Sequence, residues 1–399
     1  MIEPDGASPR SATPASTGGP TVSFGFNLGK IPDQGEDSDP ILRVGRDLGL
    51  VAVFDGMGGA GGTVYQTPDG PRSGAYLASR VARDVVERRM VDLLEPDWYL
   101  DGRATADDIR RSVKDALVER LAALKAPKSG LRSKLLRALP TTMALAALQR
   151  SEPEGDRWAC HVLWAGDSRA YVFEPGGARQ LSIDDLRDPG DAMENLTHDS
   201  VVANAMSADI DFDVRYQRVE LQAPFFVVCA TDGCFGYVRS PMHFEHLVLS
   251  HLQQARSVSA WSSSLQAQIT SITGDDAAMS VLGVGVDFDR LQRLFAPRTE
   301  ALVSEYLAPL DAAMDAVAEA DAALDALRRQ QIETTAEVWR KYKPGYERYL
   351  HPSDDPDDSL RSTGPITPAA EVPDASQEPD APTPVDDHED AREDERATS

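Results

Sequence analysis

Carboxylates recur at the ends of apolar, strand-like runs in this chain. Val51-Ala52-Val53-Phe54 ends on Asp55, and Gly56-Met57-Gly58-Gly59 follows at once. Phe225 to Ala230 leads through Thr231 into Asp232-Gly233, and Val162 to Ala165 leads into Gly166-Asp167-Ser168-Arg169. Two acidic pairs complete the set: Glu36-Asp37 in a polar loop, and Asp275-Asp276 just ahead of the apolar run Met279 to Val284. An acid at the tip of a buried strand is costly unless positive charge sits beside it. Glycine after the acid lets the backbone turn sharply and brings a carbonyl oxygen close to whatever the carboxylate holds. One strand-Asp-Gly turn is common structural punctuation. Several of them, with no His or Cys cluster nearby, suit hard, oxygen-seeking cations such as Mg²⁺ or Mn²⁺ and do not suit zinc.

The elements that must position these acids follow from the hydrophobic period. Thr21 to Asn27 and Leu48 to Phe54 read as strands, the second delivering Asp55, with a polar loop from Leu28 to Asp39 between them. Residues 60–72 read as a Gly-rich polar insertion. A helix is expected from Ser73 to Leu94, where Ala75, Ala78, Val81, Ala82, Val85 and Val86 keep helical spacing, and a second from Thr105 to Leu124, capped by Asp101 or Thr105. From Thr141 the chain turns to strands: 141–148 and 157–164 around a hairpin loop, 170–173 and 179–181 around Pro175-Gly176-Gly177, then 218–221 and 225–229. Residues 184–213 read as a surface flap, 243–254 and 261–272 as helices, and Met279 to Val286 as the strand that closes the sheet. Two early helices followed by strands on short turns favour α+β over a parallel βαβ sheet. Sheets flanked by helices would gather the strand-end carboxylates at one edge.

The bulk properties narrow the function further. A net charge of −25 over 399 residues argues against a surface built to bind nucleic acid. Cys160, Cys229 and Cys234 read as reduced, buried thiols, and the Pro- and acid-containing start lacks a basic-then-apolar signal pattern. No apolar run reaches the roughly 20 residues of a membrane span. The expectation is a cytoplasmic protein with no nucleic-acid partner and no membrane span. Residues 1–20 read as a disordered leader, and residues 352–399, with fifteen Asp or Glu against three Arg, as an acidic disordered tail. Val303, Leu307, Leu310, Met314, Val317 and Leu324 form a short heptad-like stripe. It is read as a helical hairpin packed on the preceding domain, with a dimer or partner-binding helix as the alternative. Trp339, Tyr342, Tyr346 and Tyr349 form an aromatic second piece. His161 and His198 read as structural histidines, and Cys234 as a packing residue.

These motifs, in this order, resemble the metal-dependent protein phosphatases of the protein phosphatase 2C type, the PPM family, over about residues 21–287. Glu36-Asp37 looks like its first acidic motif. Asp55-Gly56-Met57-Gly58-Gly59 matches Asp-Gly-x-Gly-Gly, Thr141-Thr142 the paired-Thr strand, Gly166-Asp167-Ser168-Arg169 the Gly-Asp-Ser-Arg motif, Thr231-Asp232-Gly233 the Ser/Thr-Asp-Gly motif, and Asp275-Asp276 the closing acidic pair. The resemblance implies an α+β fold, a four-layer α/β/β/α sandwich of two antiparallel sheets. The domain would span residues 21–290, with a helical extension over 291–351. It further implies that Asp55 bridges two Mn²⁺ or Mg²⁺ ions, that Asp232 and Asp275 hold the first, that Glu36 and the Gly56 carbonyl hold the second, and that Asp37 orients the attacking water. Asp167 is a turn residue or a ligand of an auxiliary metal. The family usually carries an Arg, which grips the substrate phosphate, where this chain has Pro32; Lys30 is the nearby stand-in, without Arg's bidentate fork. Gly236 stands where an acid of the third-metal site is usual, and Met57 where some relatives have His.

The function so implied is hydrolysis of phosphoserine and phosphothreonine in a phosphorylated protein substrate, with a kinase or dimer partner engaged through 299–350. The alternative is a catalytically weak, phosphatase-like regulatory or scaffold module working through its C-terminal helices. The basic run Lys125 to Arg137 is read as a solvated connector, with recruitment of an acidic, phosphorylated substrate as the sharper reading. The acidic tail is read as a solvated linker, with occupation of that basic run as its alternative.

Overall fold

The computed structural model describes residues 19–31, 34–93, 100–124, 137–152, 155–197, 200–348 and 350. The expectations for Pro32, for the basic run up to residue 136, for His198, for Tyr349 and for both termini therefore lie outside the described residues. The chain runs through β1 (Pro20–Leu28), β2 (Ile41–Val44), β3 (Leu48–Val53), α1 (Gly58–Gly61), β4 (Val64–Thr67), β5 (Gly70–Ser73), α2 (Gly74–Leu93) and α3 (Gly102–Ala123). It continues through β6 (Met143–Arg150), β7 (Arg157–Ala165), β8 (Arg169–Glu174), β9 (Gly177–Gln180), α4 (Glu194–Thr197), β10 (Arg215–Gln222), β11 (Phe225–Ala230) and α5 (Asp232–Phe235). The last elements are α6 (Pro241–Gln254), α7 (Val258–Ile272), β12 (Ala277–Val284), α8 (Phe288–Ala301), a π-helical stretch Leu302–Leu307, and α9 (Ala308–Tyr346).

Two five-stranded antiparallel sheets carry the fold, in the orders β1-β12-β11-β8-β9 and β10-β7-β6-β3-β2. Side-chain alternation sorts their residues into three cores. Val51 and Val53 of β3, Ala144 and Ala146 of β6, and Ala278 and Leu282 of β12 meet between the sheets. The intervening residues Leu50, Ala52 and Leu145 face α2 and α3, through Ala78, Val86 and Ile109. Phe226, Met279 and Val281 face α6, α7 and α8, through Val248, Trp261 and Phe295. Strands buried on both faces read as continuous apolar runs, which is why β3, β6, β7, β11 and β12 are plain in the sequence. The layering is helix, sheet, sheet, helix.

Local signals set the helix starts. The Asp101 side chain accepts from Ala104 N at 3.1 Å, Ser240 from His243 N, Ser257 from Ala260 N, and Asp287 from Arg290 N at 2.8 Å. The fold departs from the sequence expectations at three points. β12 does not close its sheet; it lies between β1 and β11, because a strand buried at every residue belongs in a sheet interior. Residues 60–72 hold the end of α1 and most of the β4–β5 hairpin. The expected helical hairpin near the C-terminus is one 39-residue helix, α9, since no glycine or proline interrupts the chain between Leu310 and Lys343. The described chain forms two units, the first ending at Val317 and the second starting at Ala318.

Candidate active site

Each strand-end acid sits where an inner strand runs out of apolar sequence. Asp55 follows β3, and its carbonyl accepts from Thr142 N at 2.9 Å and from the Thr141 hydroxyl at 2.5 Å. That ties the Asp55-Gly56 turn to the start of β6. Thr142 Oγ1 in turn lies 2.6 Å from Ser168 Oγ, so the Asp167 turn is attached to the same place. Asp232 opens α5 directly after β11. A Cβ at Gly233 would stand 1.8 Å from the Asp276 carbonyl oxygen, so only glycine lets the β11 end and the β12 start approach this closely.

The first acidic loop is held from several sides. Asp37 is buried; its Oδ1 accepts from Gly56 N at 3.3 Å and its Oδ2 from the Thr231 hydroxyl at 2.8 Å. The Glu36 carboxylate accepts from the Ser73 hydroxyl and lies over Gly58, where a Cβ would come within 2.0 Å of Oε2. Both oxygens of Asp276 serve this loop's backbone, accepting from Lys30 N at 2.7 Å and Glu36 N at 2.6 Å. Asp275 is exposed, and its Oδ1 accepts from Asp276 N at 2.8 Å. Lys30 is exposed as well.

Electrostatics show which acids share a neighbourhood. Burial pushes Asp37 up to about 7, with the charges of Asp232 and Asp276 adding to the effect. Asp55 is held well above the usual carboxylate range by burial and by Asp232, Asp37 and Asp167. Burial and the Asp232 charge push Asp167 up to about 7, and burial and the Asp275 charge push Asp232 up to about 6. Glu36 is raised by burial, and by Asp276 and Asp275, against the Ser73 hydrogen bond. Asp37, Asp55, Asp167, Asp232 and Asp275 thus repel one another across one end of the sandwich.

Arg80, and the part that Arg169 plays within its motif, escaped the sequence reading. Arg80 of α2 donates to the carbonyls of Glu36 at 3.2 Å and Gly35 at 3.1 Å while stacking 3.5 Å over the Tyr76 ring. Its one sequence signal is the four-residue spacing from Tyr76. Arg169 forms a two-pronged, buried pair with Asp184, at 2.9 and 2.6 Å, and stacks 4.4 Å over Phe235. Asp184 also accepts from Asn195 at 3.0 Å, so the pair joins the Asp167 turn to the flap. His161 is buried, 3.0 Å from the Tyr216 hydroxyl, and burial pushes its pKa down to about 4, as suits a structural histidine. Cys234 is buried with its thiol on the Ala278 carbonyl.

The profile of the family described as protein phosphatase 2C matches residues 38–271, more than half of the chain. The chain belongs to the protein phosphatase 2C family. Similar solved structures include the Mycobacterium tuberculosis serine/threonine phosphatase PstP/Ppp, at 20% identity and TM-score 0.45, covering 65% of this chain and 97% of that one. The PPM Ser-Thr phosphatase MsPP of Mycobacterium smegmatis is similar at 13% identity and TM-score 0.43, over 66% and 99% of the two chains. PppA of Pseudomonas aeruginosa is similar at 18% identity and TM-score 0.43, over 66% and 96%. No curated protein matches the sequence. Among the described residues, no three His, Cys, Asp or Glu side chains are grouped so that they could hold a metal ion as they stand. The donor chemistry nevertheless fits hard cations: every group is an oxygen, the acids repel one another, and Asp167 Oδ1 is buried without a hydrogen-bond partner. No helix among the described residues is long and apolar enough to cross a membrane.

Proposed function

We propose that this family member is a Mn²⁺- or Mg²⁺-dependent serine/threonine protein phosphatase. The observation that carries the reading is the gathering of oxygen donors at one end of the sandwich, where Asp37 is fixed by Gly56 N and the Thr231 hydroxyl and Asp167 Oδ1 is buried without a hydrogen-bond partner; burial first, and Asp232 next, raise Asp37, Asp55 and Asp167 there. Buried acids that repel one another carry an energetic penalty, which cations would reverse. Asp55, Asp232 and Asp275, with Glu36 and the Gly56 carbonyl, would hold two ions, and Asp167 an auxiliary one. When bound, such ions supply Lewis acidity towards phosphoryl oxygens and towards water.

The chain's own groups do the rest. Asp37 is fixed by Gly56 N and the Thr231 hydroxyl, which holds its carboxylate in one orientation. It would orient the attacking water and accept its proton as phosphorus is attacked. Asp276 and Arg80 hold the backbone of residues 35–36 from opposite sides and so position Glu36. Lys30 would meet the substrate phosphate as a mobile point charge. The protein is proposed to act in the cytoplasm, in signalling, on phosphorylated proteins.

Phosphate release from phosphoserine, phosphothreonine and phosphotyrosine peptides and from an aryl phosphate tests the substrate class. Preference for the first two peptides supports the reading. Hydrolysis of the aryl ester alone would place the substrate among small phosphate esters, and no release from any of them would point to the regulatory module.

A further inference from the structure

Helix α9 is an amphipathic element with no buried residue. Over Ala318 to Arg348 it leaves large apolar side chains in water: Leu324 is 45% exposed, Leu327 62%, Val338 59% and Tyr342 63%. Leu324, Gln331 and Val338 follow one another at seven-residue intervals, with Leu327 and Tyr342 beside them, so the exposed residues form one stripe. Trp339 meets Tyr346 edge to face, and Tyr342 lies tilted to both, along its far end, with ring centroids 5.6–6.3 Å apart. A largely apolar stripe on an exposed helix, interrupted here by Gln331, marks an interaction surface.

Charge identifies the occupant. Residues 318–326 carry Glu319, Asp321 and Asp325 and no base, a net charge of −3. Residues 327–348 carry six bases against Glu333, Glu337 and Glu347, a net charge of +3. The helix macrodipole does not account for this, because its influence is confined to the first and last turns. Glu319 lies about three turns inside a helix that begins at Ala308.

We propose that α9 pairs with the α9 of a second copy of this chain, antiparallel, along the Leu324–Tyr342 stripe. Antiparallel pairing sets −3 against +3 at both ends, whereas a parallel pair sets like charge against like. The chain's own acidic tail is a poorer occupant. Residues 351–399 contain no aromatic residue and only four large aliphatic ones, Leu360, Ile366, Val372 and Val385, and their acids would repel the first part of the stripe. A lipid surface calls for Lys and Arg along the whole polar face, which residues 318–326 lack.

Sedimentation velocity on the full chain tests this, with charge-swapped variants. Wild type is expected at twice the chain mass at micromolar concentration, dissociating as salt rises. Glu319→Lys/Asp321→Lys/Asp325→Lys and Arg340→Glu/Lys341→Glu/Lys343→Glu each disturb six symmetry-related surface pairs. At roughly a twofold change per pair, either variant alone weakens self-association on the order of a hundredfold. An equimolar mixture of the two variants restores the dimer, which also shows that both are folded. A Leu324→Cys chain then separates the two orientations, since this position meets its own copy in a parallel pair and not in an antiparallel one. The three native cysteines are buried and do not interfere. A monomeric wild type, variants that dimerise as well as wild type, a mixture that stays monomeric, or efficient Leu324→Cys self-cross-linking would each overturn the proposal.

Discussion

Replacing Arg169 by Met should destabilise the protein more than replacing the whole Arg169–Asp184 pair by apolar residues. Both side chains are almost fully buried, 3% and 2% exposed, and the guanidinium spans both carboxylate oxygens at 2.9 and 2.6 Å. Arg169→Met leaves the Asp184 charge in the interior without its cation. Removing one partner of a buried pair costs about 3–5 kcal/mol. Asn195 and Gln180 still donate to Asp184, at 3.0 and 3.3 Å, which places the loss near the lower limit, about 3 kcal/mol. For a domain of this size that lowers Tm by roughly 5 °C. Arg169→Met/Asp184→Leu removes the stranded charge along with its partner and should recover at least about 1 kcal/mol of the loss. Calorimetric melts of wild type and both variants decide the matter. A single variant that loses less than about 1 kcal/mol, or a double variant no more stable than the single, would refute the reasoning.

Gly233→Ala forces a Cβ to within 1.8 Å of the Asp276 carbonyl, so β12 or α5 must shift. Phosphate release should be lost and stability should fall by about 1–3 kcal/mol, read by activity and urea melts. Asp276→Ala removes the acceptor of Glu36 N and Lys30 N, so the Mn²⁺ concentration for half-maximal activity should rise about tenfold, equivalent to a loss of about 1.4 kcal/mol in cation binding, while activity at saturating Mn²⁺ changes less. An unchanged Mn²⁺ titration would remove Asp276 from the positioning of Glu36. His161 has a folded pKa of about 4 against 6.5 for an ordinary histidine, so between these values the unfolded chain binds a proton that the folded one does not. Its contribution is therefore intact above pH 6.5 and lost as pH falls towards 4, on the order of 3 kcal/mol in all. The stability difference between wild type and His161→Gln, followed by urea melts across pH 4–7, should show that slope.

The layers and the acid-bearing turns were legible because they rest on strong local signals. β3, β6, β7, β11 and β12 lie between two apolar surfaces and carry mostly apolar runs, interrupted by His161 in β7 and Ser280 in β12, and the acids that end or precede them stand out by their cost. β2 escaped because it has four residues, one of them the exposed Arg43, and the β4–β5 hairpin escaped because only Tyr65 of it is buried. The site's supports were hidden for a different reason. Asp276 stood out as half of the closing acidic pair, but its bonds to backbone N–H groups about 240 residues away leave no sequence pattern, and neither do those of Arg80 to loop carbonyls 44 and 45 residues away. The C-terminal stripe was visible as a period, but a period alone does not separate packing on the preceding domain from packing on another chain. The unbroken helix and its divided charge are the grounds on which pairing with another chain is proposed.

The central claim is that the acids at the sandwich end hold the cations that make the chain a phosphatase. It is tested most directly by phosphate release from a phosphothreonine peptide, using metal-depleted protein titrated with Mn²⁺, with Asp232→Ala in parallel. The account predicts no release without metal, saturable release as Mn²⁺ is added, and none from Asp232→Ala under the same conditions. Release that persists in chelator, or that survives in Asp232→Ala, would contradict it.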